Sequence, residues 1–441
     1  MKEFVISNST SQFLAAIQAH PQGEFVLQVV DTLKGAGHQA FIVGGAVRDL
    51  LLGLVLKDFD VATSAKPDQV ESLFPKTVPI GKEFGVILVV GESKDLQVEV
   101  TTFRKESDYN KKRQPQKIEF ADLQGDASRR DFTINALYFD PREENFVDPF
   151  GGQKDLKNHL LRAVGDAEER LTEDPLRILR ALRFSAVLQL KMDSSLKSAI
   201  GATVGLVKEL SKERVFEEIQ KVLKSNHWLE AFDLYESFKL FEVLEICPGQ
   251  NSNLKCLFKL SNEDRSQLEN FGLEEKWAMY WSEAMMEKVD ESLQNLKASK
   301  GFRKRVLFDL QSFEAWLDED LRQGERILLL SKSKEFGLEA KSFKEYLGLR
   351  MHAKFEGESL KDQTESLEDV FRAYESLVNA EGDLPKPLVT GEVLSSLKIN
   401  QGPLMGALIE EFYLRQIEGN LKSLEGLEDQ VKEFLRTSIE V

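Results

Sequence analysis

Cysteine is nearly missing from this sequence. Its 441 residues include two, Cys247 and Cys256, and their separation matches neither a CxxC redox pair nor a zinc knuckle, so both read as ordinary thiols. The five histidines are scattered, with no His-Asp dipeptide and no HExxH, which argues against a histidine-based metallohydrolase. No apolar run is long enough to span a bilayer, and the opening MKEFVISNSTSQ lacks the apolar core of a secretory signal, so a cytoplasmic protein is expected. Positive charge is also short: the formal net charge is −16. Affinity for phosphate comes from local Lys and Arg, so a nucleic-acid partner would need a basic patch on an otherwise acidic chain.

The length suggests two to four domains. Up to about residue 150, short β-type runs alternate with helices: a helical EFVLQVVDTLKGAG, then AFIV, KDFDVAT, GVILVV and LQVEVTTF, each bounded by Gly, Pro or charged turns. From Gly151 onward strand signals nearly vanish, and amphipathic stretches such as ERVFEEIQKVLKS and LEDQVKEFLRTS take over. The fold class is therefore α+β, with a mixed N-terminal sheet and a helical remainder. Gly and Pro mark soft boundaries at DPFGGQKDL (148–156), ICPGQNSN (246–253) and EGDLPKPLVTGE (381–392). Between about 250 and 380 the sequence discloses no function, and Trp277, Trp281 and Trp316 read as core anchors.

Chemistry gathers in four places. AFIV runs into Gly44-Gly45 and then a helix near Val47-Arg48-Asp49, a pattern that lets backbone N–H groups approach a phosphate. It equally describes a tight turn needing positive φ, with Arg48 and Asp49 as a surface ion pair. Downstream, Asp58 and Asp60 alternate with Phe59, which puts two carboxylates on one face of a strand. Two such carboxylates disfavour joint ionisation unless a cation lies between them, and Mg2+ takes one or two carboxylates plus substrate phosphates. Glu99, between Val98 and Val100, offers a third carboxylate; solvated edge charges are the plain alternative. In SRRDFTINALYFD (128–140), Arg129, Arg130 and Asp131 precede an apolar segment interrupted by Thr133 and Asn135. Either Asp131 caps a helix and the arginines are solvated, or an Arg and the Asp grip a ribose hydroxyl and a triphosphate. In TEDPLRILRALRF (172–184), Arg177, Arg180 and Arg183 share one strip of a helix whose start carries Glu173 and Asp174.

GGAVRD-x7-KDFD, RRDFTINAL and EDPLRILRALRF, in this order, resemble the class II tRNA nucleotidyltransferases, the CCA-adding enzymes, which share a superfamily with bacterial poly(A) polymerases and DNA polymerase beta. The resemblance is dense over residues 38–225, with a weaker echo at 387–419. It implies an N-terminal extension (1–22), a nucleotidyltransferase head (23–148), then a helical neck (149–245), body (246–380) and tRNA-binding tail (381–441). By the same resemblance Asp58 and Asp60 would hold two Mg2+ ions, with Glu99 as a further strand carboxylate. Gly44, Gly45 and Arg48 would bind the triphosphate, and Arg129, Arg130 and Asp131, with Asn135 in the same motif, would recognise the ribose. The substrates implied are tRNA, CTP and ATP.

The family uses its EDxxR element as an amino-acid template, here Asp174 and Arg177, with Arg180 an auxiliary and Arg183 structural. Hydrogen-bond chemistry agrees. C and A both present an amino donor beside a ring-nitrogen acceptor, whereas U and G present the reverse; an ionised Asp accepts only and an Arg donates only. The alternative is that Asp174 caps the helix before Pro175 and Arg177 is its ion-pair partner.

PIGKEFGVILVV, the acidic chain and the PLVTGEVL segment resemble the CCA-adding enzymes more than the poly(A) polymerases. The stretch FRKESDYNKKRQPQKIEF (103–120) resembles the family's flexible loop; where relatives often have an acidic residue, this chain has Tyr109 followed by Asn110-Lys111-Lys112-Arg113. Loop changes accompany enzymes that add only CC. Full CCA addition is the leading expectation; CC-only or A-only addition, a poly(A) polymerase and an inert RNA-binding protein are the alternatives.

Overall fold

The structure, a computed structural model, describes residues 10–439 apart from 57, 94, 110–114 and 248. Lys57 and the Asn110–Arg113 part of the predicted flexible loop therefore lie outside the described residues, as do residues 1–9 of the predicted 1–22 extension. The chain forms two compact units, one reaching residue 248 and taking in 295–297, the other holding the rest.

The first unit is built on β1 (Ala40–Val43), β2 (Asp60–Thr63), β3 (Thr77–Gly81), β4 (Val86–Val90), β5 (Gln97–Thr102), β6 (Arg104–Tyr109), β7 (Pro115–Phe120), β8 (Tyr138–Asp140) and β9 (Asn145–Val147). Seven of these make one sheet in the order β3-β4-β5-β2-β1-β8-β9, and β6 and β7 pair separately as a hairpin. The β2–β5 pairing is parallel and the other sheet pairings are antiparallel. AFIV is buried along its whole length, as a continuous apolar run in a strand covered on both faces should be. On one side the helices α1 (Thr10–Ala19) and α2 (Gly23–Gly35) contribute Phe13, Ile17, Val26, Val29, Val30 and Leu33 to the core. Phe13 alone contacts the rings of Phe139 and Phe146 at 4.5 and 5.0 Å. Phe41, Val43, Ala62, Phe103, Ala127 and Tyr138 form a second cluster.

Short helices α3 (Gly45–Leu51), α4 (Pro67–Leu73) and α5 (Leu123–Ser128) link successive strands, and α6 (Gly152–Lys157) follows β9 on the way to a helical layer. That layer holds α7 (Ala167–Glu173), α8 (Leu176–Val187), α9 (Ser194–Thr203), α10 (Lys212–Leu223) and α11 (Trp228–Ser237). Asp148 starts α6 by accepting the amides of Gly152 and Gln153 at 2.7 and 3.0 Å.

The second unit is helical throughout its described residues, from Leu254–Lys259 to Leu427–Ile439. Trp277, Trp281 and Trp316 are buried in it, as expected. The PLVTGEVL region and the helix after it supply a local core of Val389, Leu394, Met405, Leu408, Phe412, Leu421, Leu427 and Val431. No helix among the described residues is long and apolar enough to cross a membrane.

The local readings are corrected at two points. In KDFDVAT the strand begins only at Asp60, so Asp58 precedes it, although the alternation survives with Phe59 buried between two exposed aspartates. The SRRDFTINALYFD segment is no capped helix: after Asp131 comes a 3-10 turn at Thr133–Asn135, then β8, because Tyr138 and Phe139 pair with β1. Within the predicted 1–22 extension, α1 packs into the sheet core through Phe13.

Candidate active site

At the end of β1, Gly44 takes φ +68 and ψ −126, and α3 begins at the next residue. The positive φ calls for glycine, and a Cβ there would sit 3.2 Å from Nη1 of Arg130 and press on it. Gly44→Ala is expected to cost about 1–3 kcal/mol of stability and to displace Arg130; denaturant unfolding measures the first and nucleotide affinity the second.

One turn into α3, Arg48 is 8% exposed. Its Nε donates to Asp49 Oδ1 at 2.7 Å, so the expected ion pair exists, but Nη1 also donates to Asn135 Oδ1 at 2.6 Å. Asn135 in turn donates from Nδ2 to Asp131 Oδ1 at 2.9 Å. Asp131 accepts further from the Phe132 amide at 2.8 Å and, on Oδ2, from Arg180 Nε at 2.7 Å. Burial pushes the Asp131 carboxyl up, but Arg180 and the Asn135 hydrogen bond outweigh it and hold the group at about 2. Arg48, Asn135, Asp131 and Arg180 thus form one chain of hydrogen bonds linking α3 to α8.

The arginines of the RRD motif are not solvated. Asp126 on α5, fully buried, accepts from Arg129 Nε and Nη2 at 2.9 and 2.7 Å on one oxygen. The other oxygen accepts from Arg130 Nη2 at 3.1 Å and Tyr138 Oη at 2.7 Å. Despite burial, which opposes ionisation, the two guanidiniums keep the Asp126 carboxyl below its ordinary range.

Asp58 and Asp60 are both accessible, and the parallel register places Glu99 opposite Asp60. Partial withdrawal from water comes first, then Glu99 and Asp58, in raising the Asp60 carboxyl to about 6 against the opposing pull of Arg130. A carboxylate so crowded by its own sign fits a divalent cation, which would relieve the repulsion. Among the described residues no set of three His, Cys, Asp or Glu side chains converges into a cage, so phosphates and water would have to complete the coordination.

Glu173 ends α7, Asp174 lies extended at φ −139 and ψ 99, and α8 follows Pro175. Arg177 does not pair with the Asp174 side chain. Its Nη1 donates to Arg170 O and to Glu173 Oε2, both at 3.0 Å, and its Nη2 to Arg129 O at 2.9 Å. A guanidinium has five N–H groups, so these bonds leave two donors for another partner. The N-cap of α8 is Pro175 rather than Asp174, which lies one residue outside and accepts from the Leu176 amide on Oδ1 at 3.2 Å and from Arg214 Nη2 on Oδ2 at 3.3 Å. Arg183 pairs instead with Glu218 of α10 at 2.7 Å, consistent with a structural part.

One cavity of about 400 Å³ gathers most of these groups: Gly44, Gly45, Arg48, Asp60, Arg129, Arg130, Asp131, Asn135, Asp174, Arg177 and Arg180 line it. Of the expected site residues, Asp58 and Glu99 lie outside the lining and adjoin it through Asp60. Sequence reading missed Asp126, Tyr138 and Arg214, and took Glu173 only as part of an acidic pair. Asp126 had a signal, its i+3 and i+4 spacing to Arg129 and Arg130. Arg214, far along the chain, had none.

Residues 40–162 match the poly A polymerase head domain family, and 189–252 match the family described as the probable RNA and SrmB-binding site of polymerase A. A CCA-adding enzyme of Streptococcus suis (strain 05ZYH33) is 30% identical over 404 residues, covering 90% of this chain and 93% of its own. One from Geobacillus kaustophilus (strain HTA426) is 41% identical over 238 residues, 54% of this chain and 57% of that one. Among solved structures, the Bacillus stearothermophilus CCA-adding enzyme in complex with CTP superposes with a TM-score of 0.66 at 26% identity, covering 96% of this chain and 99% of that one. Matched in sequence over nine-tenths of its length, and with a nucleotidyltransferase sheet carrying the cavity described above, this chain belongs to the CCA-adding enzyme family of nucleotidyltransferases.

Proposed function

We propose that this chain adds CCA to the 3′ end of tRNA, using CTP and ATP, without a nucleic-acid template. The observation that carries the reading is the single cavity in which the strand-to-helix glycines, the RRD motif and the Asp174/Arg177 pair meet. In this reading residues 23–148 are the head, 149–245 the neck, 246–380 the body and 381–441 the tRNA-binding tail.

Each group has a task suited to its chemistry. Gly44, Gly45 and Arg48 receive the triphosphate, and Arg129 and Arg130 act with Asp131 on the ribose. Asp131, held ionised by Arg180 and Asn135, accepts from the ribose 2′-hydroxyl and favours ribonucleotides. Asp174 accepts the amino group of C or A while the remaining donors of Arg177 meet the ring nitrogen. Asp58 and Asp60 would hold Mg2+, with Glu99 assisting; when bound, the metal would activate the tRNA 3′-hydroxyl and stabilise charge developing on the α-phosphate and the departing pyrophosphate.

The test supplies tRNA lacking CCA, tRNA ending in C and tRNA ending in CC, with CTP or ATP singly and together. Completion to CCA is expected. Arrest after CC would mark a CC-adding enzyme, addition of A alone an A-adding one, long A tracts on unrelated RNA a poly(A) polymerase, and no incorporation an RNA-binding protein. Asp174→Ala should raise use of UTP and GTP relative to CTP by roughly ten- to a hundredfold, since each lost buried partner costs about 1–3 kcal/mol. Unchanged selectivity would leave Asp174 a structural part at the start of α8.

A further inference from the structure

Asp174 and Arg177 are held unequally. Arg177 is buried and fixed by three hydrogen bonds of 2.9–3.0 Å, two of them to backbone carbonyls. Asp174 sits in an extended link between two helices, and its carboxylate has two longer contacts, 3.2 Å from the Leu176 amide and 3.3 Å from Arg214. The Leu176 contact is local and fixes only Oδ1. The direction of Oδ2 depends on a side chain forty positions away in sequence.

That side chain stands on a braced helix. Arg214 is in the first turn of α10, where Ser211 Oγ accepts its amide. One turn further on, Glu218 is 2% exposed and accepts from Arg183 of α8 and from Lys221, both at 2.7 Å. Arg214 and Glu218 therefore tie α10 to the Asp174 link and to α8 from one helix face. Arg214 does not line the cavity, whereas Asp174 does.

We infer that Arg214 is a positioning residue for base choice: by holding Oδ2 of Asp174 it aims the carboxylate that accepts from the incoming base, an inference that rests on reading Asp174 as that acceptor. An Asp side chain tethered on one oxygen can swing about its terminal torsion, which is broad. Released from Arg214, it could meet the amino group of C or A less well, and it would no longer be fixed against U or G. The Arg214 guanidinium donates to Asp174, a base-reading group, so the loss falls on base selection.

The experiment compares wild type with Arg214→Ala, Arg214→Gln, Arg214→Lys, Asp174→Ala and the double variant Arg214→Ala/Asp174→Ala. It measures kcat and KM for all four ribonucleotides on tRNA lacking CCA and on tRNA ending in CC, and tRNA affinity separately. Arg214→Ala is expected to raise UTP and GTP use relative to CTP and ATP by about tenfold, the weight of one charge-assisted hydrogen bond, chiefly through KM. Arg214→Lys should restore part of the discrimination, and Arg214→Ala should change the ratio no further once Asp174 is gone. Arg214→Gln serves if the alanine variant does not fold. An unchanged ratio in the Arg214 variants, beside a changed one in Asp174→Ala, overturns the inference and leaves the base-reading assignment standing. No change in Asp174→Ala either overturns the base-reading assignment itself. Weakened tRNA binding with an intact ratio makes Arg214 an RNA contact and also overturns the inference.

Discussion

Asp60→Ala and Asp58→Ala are each expected to lower nucleotide incorporation by on the order of a thousandfold or more while leaving tRNA binding intact. The expectation follows from where the two carboxylates stand. Both are accessible, both belong to the alternating Asp-Phe-Asp run, and Phe59 between them is buried and fixes their direction. Asp60 is further pinned by β2, which pairs with β1 through Val43 and with β5 through Glu99. Among the described residues neither group is a hydrogen-bonded brace comparable to Asp126 or Asp131, so their removal should spare stability. Single-turnover incorporation of CTP on tRNA lacking CCA, with tRNA binding measured separately, checks both halves. Near-wild-type turnover in either variant would remove that residue from the metal role.

Asp126→Asn should be the most damaging change to stability among the groups behind the cavity, by about 3–5 kcal/mol, because it removes the fully buried counter-charge of two half-buried cations. The carboxylate bears Arg129 on one oxygen and Arg130 on the other, and Tyr138 donates to it as well. The amide that replaces it keeps the shape but supplies a single acceptor oxygen and no charge, so at least one guanidinium is left short. Denaturant unfolding of the full chain measures the loss. A second reading of the same variant is ribonucleotide over deoxyribonucleotide selection, which should fall because Arg129 and Arg130 line the cavity. If stability and selection both stay at wild-type levels, the buried pairings do not organise the motif.

Most of the cavity was legible in the sequence, and the reason is physical. Gly44 to Arg48, Arg129 to Asp131 and Asp174 to Arg180 are short local runs whose spacing alone fixes which side chains share a face. What was not legible depends on tertiary proximity. Arg214 reaches Asp174 only because α10 packs on α8, and no local pattern announces it. Asp126 had helical spacing to its partners but looked like any surface acid until its burial was seen. For the fold, AFIV, GVILVV and LQVEVTTF were readable as strands by their apolar content, whereas β3, with Pro79 inside it and Val78 and Ile80 exposed, offered no alternation to read. The polar hairpin of β6 and β7 was hidden for the same reason, and β8 was hidden because its apolar run continues directly from a 3-10 turn.

The cavity lining sets five arginines against three aspartates, in a chain whose net charge is −16. Acids just outside the lining lean on four of the five: Asp49 on Arg48, Asp126 on Arg129 and Arg130, and Glu173 on Arg177. The well is therefore less a bare positive patch than a set of guanidiniums held in aim. A nucleotide that enters it meets donors already ordered, so little side-chain freedom is lost on binding.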